Sequence, residues 1–183
     1  MVEKAIIFAS EAHKGMFRKG TDIPYIVHPM EAGAIAVSIT SDKEIISAAI
    51  LHDTLEDTSV TAEDIEREFG KEVLRLVKGD SEDKREDLPP EETWKIRKQE
   101  KIDYFRNKAD IKEKIVAISD KLSNIRSIYR DQESIGDEFW NRFNQKDKNE
   151  HAWYYGSFID IFFELKETVA YKEYCELYSK IFK

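Results

Sequence analysis

The chain has 183 residues and a formal net charge of −8, with 7 glycines, 4 prolines and a single cysteine, Cys175. That length predicts one domain over residues 1–183 with a full core, and the scarcity of Gly and Pro excludes collagen-like, disordered and many-stranded classes. The acidic balance argues against a nucleic-acid partner, the absence of a membrane-length apolar run argues against a spanning segment, and one cysteine without an internal disulfide suits a reducing cytoplasm.

Residues 3–17 place Ala5, Phe8, Ala9, Ala12 and Met16 on one helical face. The apolar "AIIFA" in this stretch is too short and too soon followed by Ser10 and Glu11 to be a secretory signal. "RKGTDIP" breaks the pattern, and Pro29 in "YIVHPM" is suited to start a helix reaching about Thr40. Ser41 and Glu44 have capping-box spacing, which predicts a helix from there through "LHDTLEDT" at 51–58. Thr61 with Asp64 marks another helix start, and Gly70 a stop before "GKEVLRLVKG". Residues 79–93 are charged and turn-forming, the best candidate for a long loop. Helices over about 91–107 and 110–130 follow, and Ser134 with Asp137 repeats the capping pattern before an aromatic, helically periodic end at 135–181. No period-2 strand stands out. The reading is an all-α bundle of roughly eight to ten helices.

The stretch 51–58 carries the chemistry. His52, Asp53, Glu56 and Asp57 crowd little more than one turn, with 52 above 56 and 53 above 57. Carboxylates so close repel each other unless a cation compensates. His28, between Pro24 and Pro29, sits on a rigid turn that would hold a ligand in place. Asp120 interrupts the apolar run "VAISDKLSNIR", and a carboxylate in a buried helix needs a partner, whether a metal or a cation such as Lys121 or Arg126. His28, His52, Asp53 and Asp120 form a mixed nitrogen and oxygen set that suits Mn, Fe or Zn better than Mg or Ca. His13 and His151 fit structural roles, and Trp153, Tyr154 and Tyr155 fit core packing better than a pocket wall.

Three segments, "FASEAHKGMFRKGTDIPYIVHPMEAG", "AAILHDTLEDT" and "VAISDKLSNIRSI", resemble the hydrolase domain of RelA/SpoT alarmone enzymes within the HD phosphohydrolase superfamily, and most of all its small stand-alone, Mesh1-like members. The intervening "REFGKEVLRLVKGDSEDK" fits the same pattern, so the match covers about residues 5–130, with a helical part at about 131–183 beyond it. The resemblance implies an HD-domain helical bundle that hydrolyses the 3′-pyrophosphate of guanosine tetra- or pentaphosphate to GDP or GTP and pyrophosphate. It implies one Mn(II) on His28, His52, Asp53 and Asp120, with Fe or Zn as alternatives. Glu56 and Asp57 would then act on the attacking water. Arg18, Lys19 and Asn124 would touch the substrate, a small guanosine polyphosphate in the cytoplasm. For the other nearby cations, Lys84, Arg97, Lys98 and Lys121, a solvated face is the better reading, and for Arg126 a solvated face or an ion pair with a carboxylate. Set against that resemblance, the charged loop containing "DLPPEETW" looks longer than in the compact animal-type members.

Two readings compete. One is an HD phosphohydrolase acting on another nucleotide or on a nicotinamide dinucleotide phosphate. The other is a catalytically idle HD domain that senses a nucleotide, for which Glu56 and Asp57 would serve no chemical need. A purely structural bundle leaves the acid cluster unexplained.

Overall fold

Apolar residues at helical spacing fold here into ten α-helices among the described residues: α1 (Val2–Ala12), α2 (Val27–Ile39), α3 (Lys43–Leu51), α4 (Thr54–Asp57), α5 (Ala62–Phe69), α6 (Lys71–Asp80), α7 (Pro90–Asn107), α8 (Ile111–Ile135), α9 (Lys148–Ile161) and α10 (Val169–Phe182). The structure is a computed structural model and describes residues 1–183 apart from Asp83, Lys84, Glu86 and the side chain of Glu91. Lys84 therefore lies outside the described residues. Short 3-10 segments occupy Gly136–Arg142 and Phe163–Leu165, and the β structure described is one isolated bridge between Phe17 and Pro24. No described helix is long and apolar enough to cross a membrane.

Two helices set the centre. Every residue of α8 from Ile115 to Ser123 is buried, as is every residue of α3 from Ile45 to Leu51. A helix apolar all round has to be enclosed on all sides, and α8 is enclosed by α2, α3, α6 and α10. The buried side chains form one cluster that extends into the aromatic end, where Phe158, Phe162 and Tyr174 are fully enclosed.

The helix ends show where local chemistry overrides periodicity. α1 stops at Ala12, not near residue 17, and the chain turns at Gly15 with φ +78°. The following loop closes through Arg18 N–H to Ile23 O (2.8 Å) and Tyr25 N–H to Met16 O (2.9 Å). α2 begins two residues ahead of Pro29, which falls in the first turn, where its missing N–H costs nothing. Asp42, not Ser41, caps α3 by accepting from Glu44 N–H at 2.9 Å. The Thr61–Asp64 capping box forms, and Gly70 at φ +90° separates α5 from α6. α8 opens on a second capping box, Asp110 with Glu113, and continues past residue 130 to Ile135. Ser134 thus lies inside the helix and caps nothing; Gly136 at φ +67° ends it.

The stretch 51–58 is not one continuous helix. α3 ends at Leu51, and α4 restarts at Thr54. Side chains engage the last carbonyls of α3: His52 Nδ1–H donates to Ala49 O (2.8 Å) and Thr54 Oγ1–H to Leu51 O (2.6 Å). Such local bonds offer the backbone an alternative to continuing the helix. His52 and Asp53 stand in this break.

Candidate active site

Three helices bring the metal-type residues together. His28 comes from the first turn of α2, His52 and Asp53 from the break after α3, and Asp120 from the middle of α8. His28 Nε2 lies 3.1 Å from His52 Nε2, 3.2 Å from Asp120 Oδ1 and 3.4 Å from Asp53 Oδ2. His52 Nε2 lies 3.0 Å from Asp53 Oδ2 and 3.4 Å from Asp120 Oδ1. Among the described residues, His28, His52 and Asp120 form a group whose donor atoms all lie within 4.8 Å of one another. Asp53 adds an oxygen close to both imidazoles.

The far side of each ring decides what this convergence can do. His52 Nδ1 faces a carbonyl, which only accepts, so Nδ1 carries the proton and Nε2 of the neutral ring presents a lone pair. Two imidazole nitrogens and two carboxylate oxygens thus meet inside hydrogen-bonding distance. A positive charge is required among them. Burial alone would push the His52 imidazolium down, but Asp53 and Asp120 outweigh it and hold its pKa well above the usual value. Burial opposes ionisation of Asp53 too, yet His52 and His28 keep it well below the carboxylate range; Lys121 leads the same effect on Asp120. A divalent cation answers the same demand and suits the donor set, two neutral imidazoles and two carboxylates.

Glu56 and Asp57 stand beside this cluster on α4. Tyr25 O–H reaches Asp53 Oδ2 at 2.6 Å and Asp57 Oδ2 at 2.9 Å. Glu56 Oε2 accepts from the main-chain N–H of Glu82 at 3.2 Å. Burial raises the Glu56 carboxyl to about 7, against the pull of Lys101 and with the help of Asp53. A carboxyl with that value is suited to taking a proton from water near neutral pH.

A cavity of about 260 Å³ opens over the cluster, lined by His28, Asp53, Glu56, Asp57 and Asp120 on one side and by Tyr154 and Tyr155 of α9 on the other. An adjoining cavity of about 270 Å³ shares Arg18, Tyr25, His28 and Asn124 with it and also touches Lys19. Arg18 donates to Asn124 Oδ1 (2.7 Å), and Asn124 Nδ2 donates to Asp120 Oδ1 (2.5 Å). The guanidinium of Arg18 also lies 5.5 Å from the centre of the Tyr25 ring. Lys19 is exposed and bonds Asn144 at 2.9 Å. A larger cavity of about 410 Å³, lined by Arg75, Lys78 and Glu113, touches none of the four converging side chains.

The cations read as solvated are mostly not. Lys121 is 2 % exposed. Its ammonium, held well above its usual pKa, lies 3.2 Å from Asp120 and 3.8 Å from Asp80. Arg97, Lys98 and Lys101 of α7 gather on Glu82, at 3.0, 2.6 and 3.8 Å. Despite its burial, Glu82 is drawn down to about 2, with Lys98 and Lys101 the main causes. Arg126 is paired with Glu31 and Glu173, as the ion-pair reading has it. Of the aromatic run, Tyr154 and Tyr155 are both buried and on the cavity wall. Trp153 lies outside it against Trp94 and Lys95. Tyr25, Ser123, Glu82 and Lys101 carried no local signal: each acts on a residue far away in sequence. His13 and His151 are buried, with His151 packed on Trp94, Trp140 and Phe143.

The HD domain family matches residues 5–141. The GTP pyrophosphokinase rsh of Brucella melitensis is 32 % identical over 128 residues, 70 % of this chain and 17 % of that protein. The guanosine-3′,5′-bis(diphosphate) 3′-pyrophosphohydrolase of Aquifex aeolicus is 34 % identical over 70 % of this chain and 18 % of its own length. The chain thus spans 17–18 % of the length of these long curated relatives. The Danio rerio guanosine-3′,5′-bis(diphosphate) 3′-pyrophosphohydrolase MESH1 is 35 % identical over 130 residues, 69 % of this chain and 68 % of that one. Among solved structures, a metazoan ortholog of SpoT, described as hydrolysing ppGpp, matches with a TM-score of 0.76 at 24 % identity over 98 % of this chain and 94 % of its own. The crystal structure of lmo0812 from Listeria monocytogenes EGD-e matches with a TM-score of 0.73 at 28 % identity, covering 85 % and 98 %. With a match that runs through all four converging side chains and a relative aligned over two thirds of both proteins, the chain belongs to the HD domain family.

Proposed function

We propose that this protein is a metal-dependent guanosine 3′,5′-bis(diphosphate) 3′-pyrophosphohydrolase, cleaving the 3′-pyrophosphate of guanosine tetra- or pentaphosphate to give GDP or GTP, respectively, and pyrophosphate. The observation that carries the reading is the meeting of His28, His52, Asp53 and Asp120 donor atoms at 3.0–3.4 Å beneath a cavity edged by Glu56 and Asp57. The printed activity of the MESH1 and Aquifex aeolicus relatives supports the substrate.

In this reading those four side chains hold one divalent ion, Mn(II) by family expectation. When bound, it supplies Lewis-acid polarisation of a phosphoryl group and a lowered pKa for water. Glu56, raised towards neutrality and steadied by Glu82 N–H, takes the proton of the attacking water. Asp57 shares Tyr25 O–H with Asp53 and so orients the acid side of the site. Asn124 and Arg18, already bonded to each other at the mouth, hold the nucleotide, with Lys19 at the rim. Lys98, Lys101 and Lys121 line the cavity, each bound to Glu82, Asp80 or Asp120, and bring cations within reach of a polyphosphate in a net-acidic protein.

A product assay tests this. The chelator-stripped chain is reloaded with Mn(II), given guanosine tetraphosphate, and its products are separated by ion exchange. The expected products are GDP and pyrophosphate, lost on chelation and in His52→Ala. Orthophosphate release would place the cut at another bond and overturn the substrate assignment.

A further inference from the structure

His28 is held by a relay that crosses between α2 and α8. His28 Nδ1 lies 2.8 Å from Ser123 Oγ, and Ser123 Oγ–H donates to Glu31 Oε2 at 2.7 Å. Glu31 Oε1 accepts from Arg126 at 3.1 Å, and Arg126 is clamped on its other edge by both oxygens of Glu173 on α10, each at 2.6 Å. Spacing makes the relay compact. Glu31 follows His28 by three residues on α2, and Arg126 follows Ser123 by three on α8, so each pair lies on one helix face.

The proton count gives the relay a direction. A serine hydroxyl has one proton, and an ionised carboxylate only accepts. Ser123 gives its proton to Glu31 and must accept at its remaining lone pairs. His28 Nδ1 therefore carries the proton facing Ser123, and Nε2 offers its lone pair to the cluster with His52, Asp53 and Asp120. We propose that Ser123 and Glu31 are positioning residues that hold His28 in the tautomer a metal requires, with Arg126 and Glu173 tying that setting to the C-terminal helix. The inference rests on the reading of His28 as a metal ligand. Without an acceptor at Ser123, the ring is free to move its proton to Nε2 and block the ligand position. The hydrogen-bond partner on the second ring nitrogen of a metal-bound histidine sets both orientation and tautomer.

The test is metal binding, separate from turnover. The full-length protein is stripped with a chelator and titrated with Mn(II) and with Zn(II) against a chromogenic competitor. Wild type takes up one ion, and His52→Ala loses it. Ser123→Ala weakens binding by roughly 10–100-fold, Ser123→Thr restores it, and Glu31→Ala weakens it by a smaller factor. In the zinc-loaded wild type, nitrogen NMR shows His28 protonated at Nδ1. Wild-type affinity in both Ser123→Ala and Glu31→Ala overturns the relay while leaving the metal site standing. Failure of wild type to bind either ion, or binding indifferent to His52→Ala, overturns the metal reading and the relay with it. Glu31 is about one-third exposed, so its variant keeps the test open if Ser123→Ala does not fold.

Discussion

Tyr25 has one hydroxyl proton and two carboxylate oxygens within reach, Asp53 at 2.6 Å and Asp57 at 2.9 Å. Burial first, and then those two acids, push its pKa far up, so it stays a phenol and a donor. Deleting the oxygen in Tyr25→Phe leaves both carboxylates without it and frees Asp53 to turn away from the imidazoles. Turnover of guanosine tetraphosphate should fall by about 10–100-fold, with metal affinity falling alongside it. Unchanged turnover in Tyr25→Phe would mean that Asp53 is held by the histidines alone. What the sequence showed at this scale were the residues with distinctive chemistry at short spacing: His52, Asp53, Glu56 and Asp57 in one turn and a half, and His28 between two prolines. What it could not show were contacts made across long separations, such as Ser123 to His28, 95 positions apart, and Tyr25 to Asp53, 28 apart. Burial of Lys121 and Lys101 was equally hidden, because lysine is almost always solvated and only partners such as Asp80 and Glu82 make its enclosure affordable.

The interruption between α3 and α4 is the element on which the site turns. Periodicity runs straight through residues 51–58, so the sequence reads as one helix; the hydroxyl of Thr54 and the ring of His52 capture the carbonyls that end it. The same limit explains the other missed ends, at Ala12 and at Ile135, where turn and capping chemistry rather than the apolar pattern decides. Helix existence was legible nearly everywhere, because amphipathic spacing is a local property. Thr54→Val keeps the buried volume and removes the hydroxyl bond to Leu51 O. It should cost about 1 kcal/mol of stability and also weaken metal binding, because His52 and Asp53 lose the break that aims them. Thr61→Ala removes the cap of α5, remote from the site, and should cost about 1 kcal/mol with metal affinity unchanged. Denaturant melts and metal titrations of the two variants separate the effects; equal metal affinity in both would deny the break its role.

At the scale of the whole molecule, the site lies between the central helices and α9. α2, α3 and α8 present the candidate ligands, while α9 closes the cavity with Tyr154 and Tyr155. On α9, His151 is packed against Trp94 of α7, Trp140 and Phe143, with Nε2 bonded to Gln145 O at 2.8 Å. A carbonyl partner requires Nε2–H, and the ring is packed as a neutral imidazole. Burial lowers its pKa, outweighing Gln145 O, which raises it; Lys98 adds to the lowering, and Asp147 and Glu150 oppose it. His13 is lowered in the same direction, also by burial, and both its ring nitrogens lack a hydrogen-bond partner among the described residues. In the unfolded chain both rings titrate near the ordinary histidine value of about 6.5. Below that pH the unfolded state binds protons that the folded state refuses, so stability falls as pH falls, by up to about 1.4 kcal/mol per pH unit for each histidine. His151→Phe keeps an aromatic ring and removes one of the two titrating groups. Urea midpoints taken between about pH 7.5 and about pH 5.5 should show a shallower acid-side loss for the variant than for wild type, at some cost at the upper end from the lost bond to Gln145. Because His52 and the carboxylates of the cluster are common to both proteins, their titrations cancel in the comparison. Parallel lines would mean that His151 accepts its proton in the folded state, and that the aromatic wall of the cavity opens enough to hydrate it.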